Sequence, residues 1–173
     1  YSEQNYPTQD IIKTSSMGNV PTNNPKELKV VTYNIGYASG NKNNRAVELS
    51  KKEVKANLEL MAKELKLINA DVIALQEVDF QSKRSFNINQ MEYLANKLGL
   101  PYAAYVVTWS KKYMPWPYWP PSIHFGKMLS GQAVISRYPI KSQDIIEFAK
   151  PKDNDFWYNW FYIDRKVQKI VVD

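Results

Sequence analysis

Two short runs of apolar, largely β-branched residues constrain this chain more than anything else in it. They are Val30-Val-Thr-Tyr-Asn-Ile35 and Ala70-Asp-Val-Ile-Ala-Leu-Gln-Glu-Val-Asp79. Each breaks into polar side chains at its C-terminal end: Asn34 in the first, Gln76, Glu77 and Asp79 in the second. Runs of this kind read as buried strands. Between them, Ser50 and Glu53 have the spacing of a capping box. Val54, Leu58, Met61, Leu65 and Ile68 then recur at helical intervals, which predicts an amphipathic helix over 51–68. Strand, helix, strand with short connections implies a crossover within one sheet. Asn34 and Glu77 then leave the sheet at the same edge, where ligand sites tend to gather. A carboxylate and an amide delivered from two rigid strands can hold a hard divalent cation and a phosphate oxygen.

Further along, Met91, Leu94, Ala95 and Leu98 mark a second helix, closed by Gly99 and Pro101. Residues 102–109 are β-prone. Residues 110–130 carry four prolines and four aromatic residues in the short run Lys111-Lys-Tyr-Met-Pro-Trp-Pro-Tyr-Trp-Pro-Pro121. That predicts a stiff loop with no internal strand. Trp116, Tyr118 and Trp119 there either pack over a sheet edge or present amphipathic rings to a membrane interface or a nucleic-acid base. Further strands are expected over 131–136, 144–148 and 165–172, with a second aromatic cluster over 151–163.

A length of 173 residues with 44% apolar content suits one domain with a real core. The net charge of +6 favours anionic partners: nucleic acid, lipid head groups or phosphorylated small molecules. The absence of cysteine excludes disulfides, thiolate metal sites and a cysteine nucleophile. Residues 1–26 are polar and read as a tether or N-terminal wrap, with the domain proper over 27–173. A polar start at Tyr1 suggests an exported chain, periplasmic or extracellular. The stop at Asp173, inside an apolar run, suggests an incomplete domain.

Three stretches in series resemble successive blocks of the endonuclease/exonuclease/phosphatase superfamily, which has the deoxyribonuclease-I-like fold. They are Val31-Thr-Tyr-Asn-Ile35, Asp71-Val-Ile-Ala-Leu-Gln-Glu-Val78 and Gly131-Gln-Ala-Val-Ile-Ser-Arg-Tyr-Pro-Ile140. Arg84 and Gln90, lying beyond Gln-Glu-Val-Asp, are similar to a branch that includes secreted or lipid-directed phosphodiesterases. The resemblance spans 28–173 and implies an α/β fold: a two-sheet β-sandwich flanked by helices, four layers α-β-β-α, of which this chain holds the N-terminal half. It also implies phosphoester hydrolysis with a divalent cation, Mg2+ or Mn2+. Glu77 would be the metal ligand. Asn34 would join it or orient the scissile phosphate, and Arg84 and Arg165 would bind substrate phosphate.

The departures from the family pattern are equally specific. Its later histidine, Asp-x-Asn and Asp-His elements do not occur, and His124, the only histidine, matches no motif position. Gln132 stands where the family often has asparagine. The expectation is therefore a phosphodiesterase whose general base lies in a complementary C-terminal half, with residues 1–173 inactive alone. Its substrate is a lipid head group or another non-nucleic phosphoester, reached with interfacial membrane contact through the aromatic loops. The alternatives are an endo- or exonuclease on nucleic acid, and a non-catalytic half-fold serving as a binding or assembly module.

Overall fold

The computed structural model describes residues 6–22, 25–42, 48–149 and 163–173. The capping box forms as the spacing requires. Ser50 Oγ accepts from the Glu53 amide at 3.2 Å, and Glu53 Oε2 accepts from the Ser50 amide at 2.8 Å. These bonds satisfy two of the orphan donors at the start of helix α1 (Lys51–Ile68). The helix ends on Asn69 in the left-handed conformation, φ 50°, which asparagine tolerates better than most residues. Helix α2 (Gln90–Leu98) is capped by Asn89 and closed by Gly99.

The strands are β1 (Gln9–Lys13), β2 (Val30–Asn34), β3 (Val72–Asp79), β4 (Tyr102–Met114), β5 (Gly126–Ser136), β6 (Ile140–Glu147) and β7 (Lys166–Val172). The first five make one sheet in the order β1-β4-β5-β3-β2, and β6 and β7 pair as a separate two-stranded sheet. β2 and β3 run parallel, as the crossover through α1 demands, with Asn34 opposite Gln76; the other pairings are antiparallel. Ile73, Leu75, Ala133 and Ile135 share one hydrophobic core with Val54 and Leu58 of α1 and Leu94 of α2. The opposite sheet face touches β6 and β7 at β4. On β2 it leaves Val30, Thr32 and Asn34 exposed. This mixed arrangement is the α/β class expected. Among the described residues no helix is long and apolar enough to cross a membrane.

Three stretches depart from expectation. Of the segment expected to be a tether or an N-terminal wrap, residues 9–13 are not free chain but an edge strand in register with β4. Thr14 fastens the next residue, its amide donating to Pro101 O at 2.8 Å and its hydroxyl to Leu100 O at 2.9 Å. Nor is 110–130 a loop throughout. β4 continues to Met114 and β5 begins at Gly126, so the loop is confined to 115–125. All four prolines of the run fall inside those eleven positions. The flanks carry none and keep pairing, which is why the loss of donors stops the ladder there and nowhere else. The expected strand over 144–148 begins earlier, at Ile140. The second aromatic cluster, Phe156 to Tyr162, lies outside the described residues.

Candidate active site

Simple alternation along β3 would place Glu77 on the same side as Ile73 and Leu75, facing the helices. The structure turns it away. Leu75 pairs with Ala133 and Val78 with Gly131, so Gln76 and Glu77 together oppose the single residue Gln132. This is a β-bulge. Glu77 absorbs it with φ 53°, a left-handed conformation costing a non-glycine residue about 1 kcal/mol. Val78 then takes the core-facing position and is fully buried. Glu77 emerges with Asn34, Gln76 and Gln132 around a cavity of about 680 Å³. Gly131 stands opposite Val78 just past the bulge, and a Cβ there would lie 2.0 Å from Val106 O of β4 on its other side.

The connection after β2 is equally unusual. Gly36, Tyr37 and Ala38 are consecutive left-handed residues at φ 54°, 55° and 57°. Several hydrogen bonds hold them. Asn34 Oδ1 accepts from the Gly36 amide at 2.9 Å, Gln90 Nε2 donates to Tyr37 O at 2.8 Å, and Asn57 Nδ2 donates to Ala38 O at 2.8 Å. Both helices thus contribute an amide that pins the turn. Its product is the Tyr37 side chain, which lines the Glu77 cavity. Burial pushes the Tyr37 phenol above its usual 10.0, the Arg84 guanidinium pulls it back, and the Glu77 carboxylate adds to the rise.

Three of the four expected site residues come together. Asn34, Glu77 and Arg165 line the same cavity, with Lys166 and Asp164 beside Arg165 just before β7. Two bonds tie that segment to the main sheet: Gln132 Nε2 donates to Lys166 O at 3.3 Å, and the Asp164 amide donates to Thr108 O at 2.9 Å. Arg84 is placed differently. Its Nε and Nη2 donate to the two oxygens of Asp79 at 3.0 and 2.9 Å, and Asp79 is fully buried. Ser82 and Ser130 hydroxyls also donate to Asp79 Oδ1, and Gln90 Oε1 accepts from the Asp79 amide. The guanidinium carbon sits 3.5 Å from the Tyr37 ring centroid, close enough for a cation–π contact. Arg84 therefore supports Tyr37 from behind and does not line the Glu77 cavity. His124 is bonded to the Tyr113 hydroxyl and lies away from Glu77. Sequence reasoning did not single out Tyr37; only a run of left-handed residues brings it here, and Gly36 was the one visible hint.

Among the described residues no three histidine, aspartate or glutamate side chains cluster. Magnesium commonly takes only one or two protein carboxylates and keeps several waters, so Glu77 with neighbouring amides fits a partly hydrated ion. Asn34 Oδ1 accepts from the Gly36 amide with one lone pair, which leaves its second lone pair for a metal and its Nδ2 as a donor to a phosphate oxygen.

Comparisons with known proteins place the chain in a family. Over residues 31–163 the chain matches the Endonuclease/Exonuclease/phosphatase family. Among solved structures it is similar to an endonuclease/exonuclease/phosphatase family protein from Leptotrichia buccalis C-1013-b, at 22% identity and a TM-score of 0.43. That similarity covers 84% of this chain and 50% of the other, so this chain spans half its length. No curated protein matches. With most of its length inside the family match, this chain belongs to the endonuclease/exonuclease/phosphatase family.

Proposed function

We propose that this chain carries the metal- and phosphate-binding part of a phosphodiesterase active site. The observation that carries the proposal is the bulge. A strained backbone turns one carboxylate out of the core and into a cavity it shares with an asparagine amide and an arginine. Strain of this kind concentrates at functional sites. Glu77 would hold Mg2+ or Mn2+, which supplies positive charge against the phosphoryl oxygens. Asn34 Nδ2 and the Arg165 guanidinium donate to the phosphate and orient it for in-line attack. Tyr37 closes the cavity wall and narrows access for bulk water. Among the described residues no histidine lines this cavity. The base is assigned to a complementary half of the fold, and this chain alone turns over no substrate.

The substrate is a lipid head group or similar non-nucleic phosphoester. In support, Tyr118 and Trp119 are 74% and 79% exposed at the tip of the β4–β5 loop and Trp116 is 41% exposed. Such rings suit a membrane interface. The test is Mn2+ titration of the chain, followed by water-proton relaxation, with Glu77→Gln alongside. Binding in the parent and its loss in the variant are expected; equal binding in both overturns the proposal. Vesicle sedimentation with Trp116, Tyr118 and Trp119 changed to alanine tests the lipid assignment. Unchanged vesicle binding together with steeply salt-dependent binding of DNA would favour a nuclease instead.

A further inference from the structure

Behind Tyr37 lies a second cavity of about 360 Å³. Its walls come from the connection after β2, the first turn of α1, the turn over 83–87 and the end of the β4–β5 loop at 122–125. Lys42, Lys51, Lys83 and Arg84 line it with one carboxylate, Glu48. Two of these cations are answered within the protein, Lys42 by Glu53 at 2.6 Å and Arg84 by Asp79 at 2.9 Å. Among the described residues, Lys51 and Lys83 have no carboxylate partner. The Lys83 stem runs alongside Gly126 at the start of β5.

Tyr37 is a wall of both cavities. A molecule seated at Glu77 therefore meets the second cavity directly across one aromatic side chain. We infer that this second cavity receives a second phosphate group of the same substrate, held by Lys51 and Lys83. The inference rests on the phosphoester reading and narrows it to a substrate with two phosphates. Two ammonium groups from separate elements, each with three rotatable donors, match an anion with several equivalent oxygens. Glu48 on the same wall opposes a carboxylate or a weakly charged ligand and leaves the pocket selective for higher charge. The limited volume fits one phosphate and a few attached atoms, which favours a doubly phosphorylated head group over a polymer.

The probe is inorganic pyrophosphate, titrated calorimetrically into the chain without metal at fixed ionic strength. The parent binds it. Lys51→Gln and Lys83→Gln each weaken binding about tenfold, the loss of charge-assisted hydrogen bonds. Glu48→Gln tightens it about threefold by removing a like charge from beside the anion. The titration contains no metal, so failure here is distinct from failure of the metal assignment. No binding in the parent, or equal affinity in the Lys51/Lys83 double variant, overturns the inference. Competition then identifies the source. Displacement by a doubly phosphorylated polyol supports a head group, whereas displacement by a short oligonucleotide and not by the polyol overturns that assignment.

Discussion

The two ends of β3 are built from the same parts and put to different use. At the start of the strand, Asp71 bonds Arg137 at 3.1 Å, and Arg137 also reaches Asn69 Oδ1 and Ala70 O. At the far end, Asp79 pairs with Arg84. The first pair is a fifth to a quarter exposed; in the second, Asp79 is fully buried and Arg84 is 12% exposed. The left-handed residue near the start is Asn69, which takes that conformation readily; those at the far end are Glu77, Tyr37 and Ala38, which do not. One end closes a helix and staples a turn. The other holds an improbable backbone in place, and its buried ion pair is part of the clamp.

The comparison can be broken by substitution. Arg84→Met leaves the Asp79 charge buried without its partner and is expected to cost about 3–5 kcal/mol of unfolding free energy in urea. Arg137→Met, at the wetter end, should cost about 1 kcal/mol or less. Equal losses from the two would end the distinction. Glu77→Gly relieves the bulge and should raise stability by about 0.5–1 kcal/mol, while Asn69→Gly should move the midpoint hardly at all. If Glu77→Gly destabilises, the carboxylate is held by structural need and the argument from strain fails.

The smallest effect is one of pH. The Lys42 ammonium and the Ser50 cap hold the Glu53 carboxyl down at about 2 against its usual 4.5. A depressed carboxyl stabilises the folded state fully above the ordinary value and loses that contribution as pH falls toward the depressed one. Amides in the first turn of α1, at the site end, should therefore exchange faster as pH falls from 4.5 to 2, after correction for intrinsic rates. Those beside Asn69, at the other end of the helix, should not. Glu53→Gln should erase the difference between the two ends.

The elements around α1 were legible because each carries one clear period, and because Ser50 and Glu53 announce a helix start. The crossover then placed Asn34 and Glu77 at one edge without coordinates. The face on which Glu77 emerges was not legible, since alternation from Ile73 and Leu75 points the wrong way. What reverses it is a bulge of β3 against Gln132 of β5, a register set by tertiary pairing. Tyr37 was invisible for a similar reason: Gln90 and Asn57, from two helices, fix the turn that aims it. The sequence suggests Arg84 as a phosphate ligand and shows its partner, the buried Asp79, only as a polar strand end; the structure pairs the two.

The strand at Gln9–Lys13 has a consequence for anyone cutting this protein. β1 occupies the outer flank of β4 residue by residue, from Gln9 opposite Val106 to Lys13 opposite Tyr102. Trimming to position 27, where composition alone would set the boundary, would strip that flank and offer a bare pairing template to the next molecule in solution. Self-association of so shortened a product would be an artefact of the cut and no clue to a natural assembly.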